Sequence, residues 1–240
     1  MMRTLLWRGM LAGLIGALVA ATFALLFAEP QIDAAVALEA HNAVHAMADE
    51  ELVSRATQKT WGLYTAMGLY GTALGGLLAI VFAGLYGRVA RVGPRSLALL
   101  LALAAFVAIV LVPAIKYPPT PPAVGLHETV RLRTAAYFAM LALSVAAATL
   151  ALWSYRRLAG RIAGLDRLLI AIGIYAGTVA LVQRLLPVID EVPARFPATL
   201  LWQFRVAAIG TQALFWLVAA DLFGRAAERT VRDRHRRVAR

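Results

Sequence analysis

Six long, uninterrupted apolar runs set the terms for this chain, at about residues 5–28, 62–86, 96–115, 134–153, 167–187 and 199–223. A helix needs about 20 such residues to cross about 30 Å of hydrocarbon. The runs lack the alternation of a membrane β-strand, so they predict helices. Hydrophobic residues make up 61% of the chain and charged residues 15%, against about 45–50% and about 25% in soluble domains. That much apolar surface cannot be hidden inside a globule of 240 residues, and lipid is the natural second solvent. The expected fold class is all-α: a polytopic integral membrane protein with six transmembrane helices, forming one membrane domain over 1–240.

The charges give an orientation. With the N-terminus inside, Arg3, Arg8, Arg88, Arg91, Arg95, Arg156, Arg157, Arg161 and Arg167 fall on the cytoplasmic side. So do Arg225, Arg229, Arg232, Arg234, Arg236, Arg237 and Arg240, making 16 of the 24 basic residues. The opposite side holds 9 of the 13 acids: Glu29, Asp33, Glu39, Asp49, Glu50, Glu51, Glu128, Asp190 and Glu191. This is the positive-inside pattern, and it predicts both termini in the cytoplasm with a basic tail over 224–240. Trp7, Trp61, Trp153 and Trp202 lie near predicted span ends, as interface anchors do. A net charge of +11 therefore reads as a topology signal, and no nucleic-acid partner is expected. The first run is read as an uncleaved span, because position 26, where a cleavage site wants a small residue, is Leu26.

Small residues suggest where helices meet. Gly9 and Gly13, Gly71 and Gly75, and Gly173 and Gly177 are each spaced i, i+4, which permits close backbone approach in lipid.

The outer connections carry what chemistry there is. Proline-rich segments follow the third span, at 116–125, and the fifth, at 187–197. Proline fixes φ and disfavours helix in the residue before it, so both should be stiff and extended. They serve equally well as rigid connectors or as the lining of an entrance. The first connection, 29–61, is acidic, and a helix is expected to start after Pro30. On it His41, His45 and Asp49 are spaced i, i+4, i+8 along one stripe. A neighbouring pair could chelate one divalent ion. The ends of the stripe, about 12 Å apart at about 1.5 Å per residue, could not share one. Imidazole with carboxylate suits cobalt, nickel or zinc, although surface histidines on a solvated helix usually bind nothing. His127 and His235 default to solvated surface.

Other chemistry is missing. The chain has no Walker A sequence, no His-Glu-x-x-His and no cysteine, which excludes disulfides and thiolate ligands. No histidine lies inside a predicted span, which argues against haem between facing helices. Gln183, Arg184, Gln203, Arg205, Gln212 and Asp221 are the few polar residues in or near the spans, and most read as reaching for the interface. Nothing asks for an enzyme.

Several segments together resemble CbtA, a family of predicted cobalt transporter subunits, over nearly the whole chain. They are Arg8-Gly9-Met10-Leu11-Ala12-Gly13, Glu29-Pro30-Gln31-Ile32-Asp33 and Glu51-Leu52-Val53-Ser54-Arg55. To these are added the 116–125 segment, Asp190-Glu191-Val192-Pro193, and Phe196-Pro197-Ala198-Thr199-Leu200-Leu201-Trp202 leading to Phe204-Arg205. The resemblance implies uptake of cobalt for corrinoid (cobalamin) synthesis, beside a small single-span subunit that carries a histidine cluster. Two departures weaken histidine-based capture here. Only His41 and His45 stand where many relatives have a richer tract, and Thr120 stands where Asn is expected.

The expectation is thus a permease subunit for divalent cobalt in the inner (cytoplasmic) membrane, with cobalt as its transported substrate and no permanently bound cofactor. The expected metal ligands are Glu29 and Asp33 after the first span and Asp190 and Glu191 after the fifth, with His41 and His45 as accessory capture groups. Arg205 could instead pair with Asp190 or Glu191, making those acids structural. Two alternatives stay open. One is a non-transporting scaffold or regulatory subunit. The other is a membrane enzyme acting on a lipid at the outer face, for which Asp190/Glu191 and His127/Glu128 are the only visible acid/base material.

Overall fold

The computed structural model describes residues 2–42, 53–88, 92–125 and 127–238. Among them the structure is helical throughout, without strands, and six helices are long and apolar enough to cross a membrane. In chain order the helices are α1 (Met2–Phe27), α2 (Glu29–Asn42), α3 (Arg55–Leu85), α4 (Pro94–Lys116), α5 (Val130–Arg157), α6 (Gly164–Leu185) and α7 (Ala198–Val238). All but α2 are candidate spans. Two of them contain π-helical turns, Gln58–Gly62 in α3 and Phe106–Leu111 in α4.

The helix ends follow local chemistry. α1 breaks at Ala28, and Pro30 sits in the first turn of α2, where its missing N–H costs no intrahelical bond. The Ser54 hydroxyl caps α3 by accepting the Thr57 N–H at 3.4 Å. Pro94 opens α4. α7 runs unbroken from Ala198 through the basic segment to Val238. No proline follows Pro197 to stop it, and the i, i+4 pairs Asp221–Arg225 and Glu228–Arg232 support its final turns.

The chain divides into two compact units: Met1–Phe106 with Pro121–Ala123 and Pro197–Arg240, and Val107–Thr120 with Val124–Phe196. The first unit is built around α1, which packs antiparallel to both α3 and α7. Lipid tails are as apolar as leucine, so close van der Waals contact must hold these helices together. Gly13 and Gly75 supply it. A Cβ on either would lie 2.8 Å from the other's Cα. On the α7 side, Gly16 faces Phe215 and Ala219, and Gly210 faces the Phe23 ring. Phe82 and Phe223 fill the gap between α3 and α7 with their rings edge to face at 5.2 Å. Near one end, Arg8 of α1 donates to the Ala226 carbonyl of α7 at 2.6 Å and also to Thr230. Asp221 holds Arg95 of α4 and Arg225 of α7 at 2.6 and 2.8 Å.

The second unit pairs α5 with α6 and adds the last part of α4. Its core gathers Val112, Tyr117, Ala136, Met140, Ala147, Val179 and Val182. Ser144 and Tyr175 hydroxyls bond within it at 3.0 Å, which satisfies two polar groups away from water. The third small-residue pair behaves unlike the first two: none of the described residues comes within 4 Å of a Cβ placed on Gly173 or Gly177, their own helix and chain neighbours aside. α6 buries Ala171, Val179 and Val182 instead, a different stripe of the same helix.

Candidate functional site

The first unit assembles an acid–base cluster where α1 gives way to α2. Glu29 and Asp33 are one turn apart on α2, and Arg55 and Lys59 are one turn apart at the start of α3. The two pairs meet. Arg55 Nη2 donates to Glu29 Oε2, and its Nε donates to Asp33 Oδ1 at 3.1 Å. Lys59 Nζ reaches Asp33 Oδ2, also at 3.1 Å. Glu29 is buried, at 7% exposure, and sits in the first turn of α2, where the helix dipole favours a carboxylate. Asp33 is more open. The hydrogen bond from Lys59, seconded by Arg55 and opposed by partial desolvation, holds its carboxyl below the usual pKa of 3.8.

The pairing partners are what sequence reasoning missed. A signal was present: two acids and two cations, each pair spaced i, i+4, at opposite ends of one connection. Further along α2, His41 is exposed, eight residues beyond Asp33 on the same stripe. His45 and Asp49 lie outside the described residues, so the expected His41–His45–Asp49 stripe is represented by His41 alone.

The second unit ties its proline-rich connections together. The Tyr117 hydroxyl donates to the Pro187 carbonyl at 2.8 Å, and burial raises its pKa, keeping the proton available for that bond. Arg133 of α5 donates through Nη1 to Glu191 Oε2 at 2.5 Å, with the Glu191 side chain only 6% exposed. Gly125 closes over this pair at φ +123°, in the region that favours glycine, and a Cβ there would lie 3.1 Å from Glu191 Oε2. The segments at 116–125 and 187–197 are thus bonded to each other at their starts, and further along Gly125 lies beside the Arg133–Glu191 pair. Asp190 diverges from its neighbour. It is exposed, and its Oδ1 accepts the Val192 N–H at 3.4 Å, capping its own turn. The partner seen for Glu191, Arg133, is one that the sequence did not single out.

Chemically, both carboxylate sites already hold cations supplied by the protein. A metal ion at Glu29 or Asp33 would compete with Arg55 and Lys59, and one at Glu191 with Arg133. Among the described residues no group of three or more His, Asp or Glu side chains is close enough to form a complete metal cage. Of Glu29, Asp33 and Glu191, Asp33 is the most open, its side chain 40% exposed beside a Lys59 that is 37% exposed, so exchange there costs little desolvation.

No curated protein and no solved structure matches this chain. Residues 2–228 match the family described as probable cobalt transporter subunit (CbtA), so this multi-pass helical membrane chain belongs to that transporter-subunit family.

Proposed function

We propose that the chain is the membrane-spanning permease subunit for uptake of divalent cobalt. It would lie in the inner membrane with both termini in the cytoplasm and work beside a small single-span, histidine-containing subunit. The observation that carries the reading, given the family, is the Asp33 carboxylate at the exit of the first span, bridged by the half-exposed Lys59. Cobalt accepts oxygen and imidazole ligands and exchanges readily where no thiolate holds it. In the proposed sequence the ion takes Asp33 Oδ2 as Lys59 swings into solvent. It then competes with Arg55 for Glu29, while His41 and His45 serve as accessory capture groups. Asp190 and Glu191 are proposed as a further ligand pair, with Asp190 the accessible member. The charge asymmetry supports an outer location for the acids, where a cation arriving from outside would meet them.

The test is uptake of radioactive cobalt by cells lacking their own importers, with this chain expressed alone and with its small partner. Saturable uptake for which cobalt competes better than nickel, zinc or magnesium is expected. Absence of uptake in both cases, with the protein present in the membrane, would overturn the reading.

One observation favours a second reading, a non-transporting scaffold: Glu29, Asp33 and Glu191 are all ion-paired to the protein's own side chains. A scaffold would bind the small subunit yet leave liposomes impermeable to cobalt.

A further inference from the structure

The turn between α5 and α6 collects positive charge without matching acids. Arg156, Arg157, Arg161 and Arg167 lie in it or at its edges, beside a single acid, Asp166. Among the described residues none of these four arginines is ion-paired to a carboxylate. Elsewhere the protein matches such charges: Asp221 holds Arg95 and Arg225, and Glu228 reaches Arg232 at 3.7 Å. The turn is nonetheless well made. Its backbone is hydrogen-bonded from Leu158 to Ile162, with Gly160 at φ +81° where the chain turns back. The Arg157 guanidinium carbon lies 5.3 Å from the centre of the Trp153 ring, and that of Arg167 lies 4.6 Å from the Tyr155 ring. Aromatic faces thus position two of the cations. Arg156, Arg157 and Arg161 are exposed, and Arg167 is half-buried at the foot of α6.

Apolar neighbours set the depth of these charges. Trp153, near the end of α5, is 54% exposed, and Leu165 and Leu168, in the first turns of α6, are 68% and 48% exposed. Such side chains belong at the boundary between headgroups and acyl chains, which sets the arginines at the level of the lipid phosphates. A guanidinium stacked on a ring keeps its in-plane N–H groups, and that fork matches two phosphate oxygens. We infer that the α5–α6 turn is a docking surface for anionic phospholipid, with Arg156, Arg157 and Arg161 engaging headgroup phosphates of the adjoining leaflet. The lipid supplies the counter-charge that the protein's own acids supply to Arg95, Arg225 and Arg232. The inference requires only that α5 and α6 cross a bilayer, so it stands apart from the permease reading.

The chain has no cysteine, so Ala159→Cys, at an exposed position in the turn, gives a single thiol for a fluorescent donor. The full chain is reconstituted in phosphatidylcholine vesicles that carry a trace of acceptor-labelled phosphatidylglycerol or, in parallel, acceptor-labelled phosphatidylcholine. Energy transfer should favour the phosphatidylglycerol probe, and the preference should weaken as salt is added. A donor attached through Val188→Cys, 84% exposed just past the far end of α6, should show a much smaller preference. Replacing Arg156→Gln, Arg157→Gln and Arg161→Gln together should lower the relative affinity for phosphatidylglycerol about tenfold, since each basic residue near the membrane surface is worth up to about fivefold. Arg156→Lys, Arg157→Lys and Arg161→Lys keep the charge and should retain most of the preference, which separates lost binding from lost fold. Equal transfer to both probes at Ala159→Cys, a preference that survives the glutamine changes, or an equal preference at Val188→Cys overturns the inference. Inorganic phosphate that abolishes the preference at constant ionic strength would mean a soluble-phosphate site, and also overturns the lipid assignment.

Discussion

Lys59 Nζ lies 3.1 Å from Asp33 Oδ2, joining two side chains that are 37% and 40% exposed. This contact bridges the start of α3 to the second turn of α2, and a metal ion would meet it before the buried Glu29. If Lys59 competes with cobalt for Asp33, removing it should help the ion. Lys59→Gln is expected to lower the half-saturating cobalt concentration for uptake. Paired replacement of Glu29→Gln and Asp33→Asn should abolish uptake with the protein still in the membrane. Uptake kinetics beside a membrane-fraction blot would decide the matter, and unchanged uptake in the double variant would remove both acids from the ligand set.

Arg55 has a different role, because it serves the buried acid. Arg55→Met leaves Glu29 without its guanidinium and should destabilise the chain by about 1–3 kcal/mol, the usual range for stranding a buried polar partner. Adding Glu29→Gln should recover much of the loss. Thermal unfolding of both variants in one detergent measures it.

The pH response of Asp33 has a definite sign. Its folded-state pKa lies below 3.8, chiefly through the hydrogen bond from Lys59. The stabilisation is therefore complete above the unfolded value and is lost as pH falls through the lower, folded one. From neutral pH to about pH 5 this contact should contribute a constant amount. Asp33→Asn should flatten only the acid limb of a stability–pH curve below that range; a difference that changes between about pH 5 and 7 would contradict the assignment.

Glycine pairs with one spacing should respond in opposite ways. Gly75→Ala places its Cβ 2.8 Å from the Gly13 Cα, so the α1–α3 backbones must separate, at a cost of about 1–3 kcal/mol. Gly173→Ala and Gly177→Ala meet none of the described residues within 4 Å and should be neutral or slightly stabilising, since alanine favours helix by about 1 kcal/mol. Unfolding midpoints of the three single variants provide the comparison.

Tyr117→Phe removes the donor to the Pro187 carbonyl and should cost about 1 kcal/mol. The loosening should appear as faster proteolysis or hydrogen exchange in the 187–197 connection, with the helices themselves unaffected.

Much of this architecture is legible in sequence because the bilayer is a simple solvent. Lipid demands long apolar segments, and it satisfies no backbone groups, so the runs at 5–28 and 134–153 reappear as α1 and α5. At α7 the helix continues beyond the apolar run into the basic segment. Arg225, Ala226, Ala227 and Glu228 favour helix whether lipid surrounds them or not. At the candidate site, the acids Glu29, Asp33 and Glu191 stood out in sequence as acids of the connections between apolar runs. Their partners did not, because nothing local in Arg55 or Arg133 distinguishes a buried ion pair from a solvated one.

By itself, then, the sequence determined the helical class, the number of apolar crossings and the supply of close-packing glycines, since each follows from residues within one segment. Tertiary structure decided the rest. It brought Gly9 and Gly13 against Gly71 and Gly75 while leaving Gly173 and Gly177 open among the described residues, set Arg55 and Lys59 on Glu29 and Asp33, and buried Trp216 in the first unit. Such contacts depend on how each helix is rotated and where distant segments land, and local spacing carries no information about either.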